Sequence, residues 1–282
     1  MKKSLTQMLL VLFVVTGLIP LAERYANALY QDKRQHQLAM ALVAIQQQLQ
    51  ALVDRLVADN RLLADYFSAY PDMFNTPEHA DVFQDIQTSS PVISIALSRD
   101  LKVFHATPQE NNEAILEMDY LLYPENMRSI RRALLTGQTV ISSVNTQQQT
   151  AQPGLNIRTP LHPPNIHSGL ISTSIDMTAL LQAAGYNPDN GYSLLLELHH
   201  PDKGNRMTQG SAELFAQLPP GVFVTLPEQA SWELRGQWQE SSLTFLRGIP
   251  LPSGHCVALD VWGWMDSEPS ARTALSDSGC TA

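Results

Sequence analysis

Residues 38–56 read LAMALVAIQQQLQALVDRL and lie within a stretch from Gln31 to Tyr70 that contains neither glycine nor proline. Apolar residues recur there at alternating spacings of four and three: Leu38, Leu42, Ile45, Leu49, Leu52 and Leu56. This 3.5-residue repeat predicts a long helix, and it matches the seam of a left-handed coiled coil. Two interpretations of the seam stay open, a helix packed on its own domain and the stalk of a parallel dimer.

The helix is expected to continue beyond this seam, over residues 29–70. Its next seam position is the polar Asp59, after which Leu63 and Tyr66 resume the pattern. From Leu63 onward we predict packing on the domain, because Tyr66-Phe67 widens the apolar face. Glutamines 46, 47, 48 and 50 are expected on outer faces, and Pro71 is expected to end the helix.

Residues 1–28 have the pattern of a membrane anchor or a signal peptide. Lys2 and Lys3 precede 18 mostly apolar residues, Leu5 to Ala22, at the lower edge of what spans a bilayer. The lysines favour a cytoplasmic N-terminus, a single inner-membrane span and a periplasmic location for the rest. The alternative is cleavage at the A-x-A pattern Ala26-Asn27-Ala28.

Composition excludes several classes of function. The net charge is −9, and residues 1–28 carry +2, which leaves −11 on the remainder. Such a surface repels phosphate backbones, so no nucleic acid is expected as a partner. The two cysteines, Cys256 and Cys280, form no metal-finger or disulfide framework. Without a Walker A loop, G-x-G-x-x-G or H-E-x-x-H motif, we expect no cofactor and no enzyme activity.

Residues 71–190 show a mixed α/β pattern. Strands are predicted over 91–97, 101–105, 139–142, 155–161 and 169–175, and helices over 112–118, 124–135 (capped by Gly137) and 176–184. This order predicts an α+β fold, a curved antiparallel sheet with a helical layer across one face. A pocket is expected between the sheet and the helices.

Residues 191–264 predict a smaller β-rich half with little helix, followed by a polar tail over 265–282. Strands are predicted over 192–198, 221–226, 232–238, 243–246 and 256–262, with a polar turn over 199–205. His199 and His200 would point to opposite faces of a strand and could not share one ion. No metal site is therefore expected.

Four segments resemble CHASE-type extracellular sensor domains: Asn111 to Asp119, Pro124 to Gly137, Leu155 to Leu161, and Gly169 to Asp176. The first is similar to an N-x-A-I-G-x-D stretch, with Leu116 in place of its glycine. The resemblance covers about residues 38–262 and implies a PAS-like fold of two stacked halves, 71–190 membrane-distal and 191–264 membrane-proximal. It also implies a small ligand in the distal half.

The resemblance further implies a second membrane helix that leads to a histidine kinase, diguanylate cyclase or phosphodiesterase. Residues 266–282 are too polar to cross a membrane. We therefore expect output through a partner of histidine kinase or diguanylate cyclase type, or through a cytoplasmic domain lost by truncation.

Candidate ligand-binding residues lie on the predicted pocket walls: Tyr123, Arg128 and Arg131 on helices, and Arg158, Thr173 and Asp176 on strands. An arginine can clamp a carboxylate or phosphate through paired N–H donors, and an aspartate can hold an amine. The alternatives are plain surface charge for Arg131 and helix capping for Asp176.

The leading hypothesis is a periplasmic sensory module that binds an unknown small molecule and signals through a homodimeric helical stalk. Two alternatives remain: a soluble periplasmic binding protein released at Ala28, and a scaffold whose pocket is filled by its own side chains.

Overall fold

The computed structural model describes residues 2–70, 83, 91–108, 110, 112–147, 150–162, 169–200 and 204–239. Several predictions fall outside these residues: the stop at Pro71, the strands over 243–246 and 256–262, both cysteines and the tail over 265–282.

The N-terminal region is a single helix, α1 (Lys2–Ala69), which continues through Pro20. The helix predicted over 29–70 is therefore the second part of a longer element. In the part of the chain that the structure describes, no helix combines the length and the apolarity that a membrane crossing needs.

The seam of α1 lies against its own domain. Leu42, Ile45, Leu49 and Leu56 are at most 8% exposed, and Leu38 and Leu52 pack, partly buried, on the same core. Leu63 and Phe67 are also buried, as predicted. The four buried positions are enclosed by the chain's own core, and this packing agrees with the first interpretation, a helix packed on its own domain.

The first sheet contains six strands: β1 (Val92–Arg99), β2 (Lys102–Thr107), β3 (Val140–Ile141), β4 (Asn145–Thr146), β5 (Pro153–Pro160) and β6 (Leu170–Asp176). All its pairs are antiparallel, in the order β2-β1-β6-β5-β3, and β4 pairs with β5. Asp100 and Leu101 connect β1 to β2 with φ of 49° and 67°, the left-handed backbone that a two-residue hairpin requires. The predicted α+β class is confirmed.

Helices cover both faces of this sheet, whereas the sequence predicted a helical layer on one face. α1 and α3 (Met177–Ala183) lie on one side. On the other side lies α2 (Pro124–Thr136), which ends at Gly137 in the left-handed region (φ 67°), as predicted. The helix predicted over 112–118 is reduced to a 3-10 turn, Glu113–Ile115, and a second turn, Tyr120–Leu122, follows it.

The second sheet has the order β8-β7-β10-β9. Its elements are β7 (Tyr192–His200), β8 (Gly204–Gln209), α4 (Ala212–Gln217), β9 (Val222–Thr225) and β10 (Ser231–Trp238). Sequence reasoning missed β8 and α4. The polar turn predicted over 199–205 is wrong at both ends, because β7 extends through His200 and β8 begins at Gly204; residues 201–203 lie outside the described part of the chain.

The helix α1 approaches the second sheet closely. A Cβ atom on Gly236 would lie 2.8 Å from the end of the Leu38 side chain, so a larger residue there would require that leucine to shift. Gln46 Nε2 donates to the Phe223 carbonyl at 2.9 Å. The Gln50 amide donates to the Thr225 carbonyl at 3.0 Å and accepts from its N–H at 2.7 Å. These two glutamines, expected on outer faces, therefore bond the edge of β9.

Substitution of Leu49 by alanine tests whether the seam belongs to the core. Leu49 is 0% exposed and Leu62, on the same helix, is 67% exposed. We expect Leu49→Ala to lower the free energy of unfolding by about 2–5 kcal/mol, and Leu62→Ala to change it by less than about 0.5 kcal/mol. Urea unfolding followed by circular dichroism measures both, and equal effects would contradict the burial of the seam.

Candidate functional site

The two faces of the first sheet differ in chemistry because side chains alternate along β5 and β6. Thr159 and Thr173 face α1, where both hydroxyls bond the buried Asn60 side chain at 2.7 Å. Asn156, Arg158, Ser172 and Ser174 lie on the opposite face and line a cavity of about 100 Å³. A polar surface therefore lies beneath α2, inside the fold.

Residues from several other elements also line this cavity, and three of them are polar side chains of separate segments. Tyr120 comes from the second 3-10 turn, Asn126 from α2 and Gln147 from the loop after β4. Ser174 Oγ donates to Asn156 Oδ1 at 2.8 Å. The Gln147 side chain is buried, and its Nε2 atom has no hydrogen-bond partner. The cavity thus has polar walls with hydrogen-bonding capacity left over.

Arg158 is the charged residue of this cavity and is only 2% exposed. Its guanidinium donates to Asn126 Oδ1 at 2.7 Å and to Ser129 Oγ, and its centre lies 5.9 Å from the Tyr120 ring centroid. Its Nε atom is buried without an acceptor. Among the described residues, no aspartate or glutamate forms an ion pair with it.

Burial lowers the pKa of Arg158 from its usual value to about 10, although the Tyr120 side chain acts in the opposite direction. The guanidinium therefore remains charged at neutral pH. Because its pKa is lower in the folded protein, the folded state holds the proton less tightly. The charge consequently costs folding free energy at every pH below about 10. An anion placed beside Arg158 would offset that cost.

The structure brings only one of the six predicted ligand-binding residues into this cavity, Arg158. Thr173 faces the other side of the sheet, and Asp176 caps α3 by accepting from the Ala179 N–H at 2.8 Å. Arg131 is exposed on α2.

The other two predicted residues also lie elsewhere. Tyr123 directly precedes α2 and is half-buried, but it is not among the residues that line the cavity. Arg128 is exposed and lines a separate cavity of about 30 Å³, together with Arg132, His200 and Arg206.

Sequence reasoning missed eight polar residues of the site: Tyr120, Asn126, Asn145, Thr146, Gln147, Asn156, Ser172 and Ser174. One available signal was the alternation Asn156-Ile157-Arg158 in the strand predicted over 155–161. Polar residues at every second position of a strand share one face of the sheet, and the sequence predicted a helical layer over one face.

Comparison with known proteins supports the fold. No family model matches the chain, and no curated protein matches it. An extracellular ligand binding receptor from Desulfohalobium retbaense is similar to this chain, with 12% identity and a TM-score of 0.52. The match covers 71% of this chain and 40% of that receptor chain.

Two further solved structures match this chain over nearly the whole of their own length. The extracellular domain described as that of the histidine kinase soHK1S-Z6 is 14% identical over 74% of this chain and 96% of its own, with a TM-score of 0.51. The ligand binding domain of the Pseudomonas aeruginosa chemoreceptor PctB, in complex with L-Arg, is 13% identical over 76% and 97%, with a TM-score of 0.50. At these identities the likeness shows a shared fold, that of extracellular ligand-binding sensor domains.

Replacement of Arg158 by methionine tests whether the buried charge is there for a ligand. We expect Arg158→Met to leave the free energy of unfolding of the ligand-free protein unchanged or to raise it by about 1 kcal/mol, because the cost of burying the charge disappears. Urea unfolding at neutral pH measures it, with exposed Arg131→Met as the matched control. A loss of several kcal/mol for Arg158→Met alone would mean that Arg158 holds the fold together.

Proposed function

We propose that this chain is a sensory module that binds a small carboxylate in the cavity at Arg158. The observation that carries the proposal is a charged, buried guanidinium that lines a cavity and has no acidic partner among the described residues. Arginine suits this task because its paired N–H donors match the two oxygens of a carboxylate.

The size of the cavity restricts the ligand. The cavity of about 100 Å³ is smaller than a cavity of roughly 150 Å³ that binds benzene in another protein. Acetate, propionate and pyruvate are anions of that order of size. Serine and asparagine side chains on the walls would hydrogen-bond a second oxygen of the ligand, such as the keto group of pyruvate.

The absence of acidic side chains from the described cavity walls argues against a zwitterionic ligand. The chemoreceptor domain of similar fold was solved with L-Arg, and an amino acid brings a positive ammonium group into its site. Here the described lining residues include no aspartate or glutamate, and Asp176 is engaged as a helix cap. An ammonium group buried without an anionic partner is costly, so we propose an anion that lacks an amine.

A ligand panel measured by thermal unfolding tests this proposal. We expect pyruvate, propionate or acetate to raise the melting temperature, because a ligand at one hundred times its dissociation constant adds about 2.7 kcal/mol to the stability. Acetamide, of similar shape but without charge, and L-alanine should have no effect.

The carboxylate response should disappear in Arg158→Met and persist in Arg131→Met. If acetamide acts as strongly as acetate, or if Arg158→Met keeps the response, Arg158 is not the carboxylate anchor.

We propose that the module acts outside the cytoplasm as part of a membrane receptor of CHASE type, held by its N-terminal apolar segment in a single inner-membrane span. In this arrangement the half over 71–190 is membrane-distal and the half over 191–264 is membrane-proximal. Contact of the second sheet with the N-terminal part of α1 supports that order, since Trp238 Nε1 donates to the Arg34 carbonyl at 3.0 Å. The output partner is of histidine kinase or diguanylate cyclase type.

Homodimerisation remains part of the proposal, but through a different surface of α1. The core occupies the seam over 38–56, whereas the part of the helix just after the proposed membrane span exposes large apolar side chains, each at least 53% exposed: Tyr25, Leu29 and Tyr30. Apolar residues repeated along an exposed helix favour association with a second copy.

A charge placed on this exposed surface tests the dimer. We expect Leu29→Asp to shift the full-length protein towards the monomer in sedimentation experiments, because pairing would bury the carboxylate in an apolar contact. Leu62→Asp, at another exposed leucine of α1, is the matched control and should sediment like the wild type. Identical sedimentation of all three proteins, or a monomeric wild type, would contradict this dimer.

A further inference from the structure

A second cluster of polar groups lies on the sheet formed by β7 to β10, apart from the carboxylate cavity of the first sheet. Glu197 of β7 pairs directly with Glu233 of β10, and His199 pairs with Ser231. Leu196 and Leu234 point into the shared core with α1. By alternation, Glu197, His199 and Glu233 therefore share the opposite face.

The ligand atoms of these three side chains converge. His199 Nε2 lies 3.3 Å from Glu197 Oε2 and 3.0 Å from Glu233 Oε2, and all three atoms lie within 4.8 Å of one another. Although Nε2 is buried and near both oxygens, it makes no well-directed hydrogen bond to either. The three atoms thus surround a common point without satisfying one another.

Hydrogen bonds to Oε1 hold the carboxylate of Glu233 in place. Oε1 accepts from Arg235 Nε at 2.8 Å and from the Gly221 N–H at 2.9 Å, which leaves Oε2 for His199. Glu233 is 4% exposed. Burial alone would raise its pKa, but the hydrogen bonds from Arg235 and Gly221 and the charges of Arg235 and His199 outweigh it, so the net pKa is lowered.

We propose that Glu197, His199 and Glu233 form a binding site for one divalent transition-metal ion, of the chemistry of zinc. Zinc binds imidazole nitrogen and carboxylate oxygen at about 2.0–2.2 Å. In a tetrahedral arrangement such bonds separate neighbouring ligand atoms by roughly 3.4 Å. The two separations from His199 Nε2, 3.0 and 3.3 Å, are close to that value.

Charge also favours a cation at this point. Two carboxylates face a single imidazole, and Arg235 offsets one of them from the far side of Glu233. A metal ion would add the missing positive charge and would join β7 to β10, the central strands of the sheet. Three protein ligands leave the fourth position of a zinc ion to water or to another ligand. The ring of Phe223 lies beside the His199 ring, with the two ring centroids 5.8 Å apart.

A simpler arrangement uses the same side chains, with a protonated His199 bridging the two carboxylates and no metal. The two arrangements differ in whether the protein binds zinc at this cluster, and in whether removal of one of the three side chains weakens that binding. The full-length protein, freed of metal with a chelator, is titrated with zinc chloride by calorimetry, and bound zinc is counted by mass spectrometry after gel filtration.

We expect the wild type to bind one zinc ion that depends on this cluster. His199→Ala and Glu197→Gln should each weaken that binding by about tenfold or more. Glu197→Gln removes only the charge and keeps the shape, so it separates loss of a ligand from loss of folding. The matched control is His200→Ala, because His200 follows His199 but points to the other face, where it lies 3.3 Å from Arg132.

Zinc binding that fails in the wild type overturns the site. So does binding that survives both His199→Ala and Glu197→Gln, or binding that falls equally in His200→Ala. Because the carboxylate cavity lies on the other sheet, none of these outcomes affects the test at Arg158.

Discussion

One apolar stripe of α1 is the common wall of two separate sheets, and both sheets depend on it. Leu49 and Val53 share a single core with Ile157 of the first sheet and with Leu196 and Trp232 of the second. Neither sheet could exclude water from that face without the helix. Burial at the seam therefore couples the two halves into one folding unit, and loss of apolar area at either sheet weakens the contact with the other.

The same helix explains why the polar cavity lies where it does. Because α1 covers one face of the first sheet and forms an apolar core with it, the opposite face of the sheet can contain polar residues while the sheet still packs on an apolar core. On the face that packs against α1, the side chains of Thr159 and Thr173 have a hydrogen-bond partner in the side chain of Asn60. On the other side Arg158 has amide and hydroxyl partners but no counter-charge among the described residues. Such incomplete compensation of a buried charge is a common property of binding sites.

Local patterns in the sequence predicted most elements, because they depend on neighbouring residues. Gly137 and Asp176 end and begin helices as expected. What covers the seam was not predictable in this way, since a second helix and a sheet both require the same apolar spacing. The elements β8 and α4 were missed because Gly204–Gln209 and Ala212–Gln217 have weak periodicity, and their partners in the fold stabilise them.

The candidate site was less predictable than the fold, for a geometrical reason. Arg158 and Thr173 lie on adjacent strands, but the register pairs Thr173 with Ile157, which places the two side chains on opposite faces. Register is a property of the assembled sheet, so composition could suggest an arginine without showing which one is enclosed. His199 illustrates the same limit, because its carboxylate partner in β10 is distant in sequence.

The glutamines of α1 have a consequence for self-association. Gln46 and Gln50 hydrogen-bond the backbone groups of Phe223 and Thr225, on the edge of β9 that faces away from β10. If these backbone groups were unpaired, a strand of another molecule could pair with this edge. The helix therefore protects the protein against growth of the sheet into intermolecular aggregates, a hazard that would return whenever α1 detached.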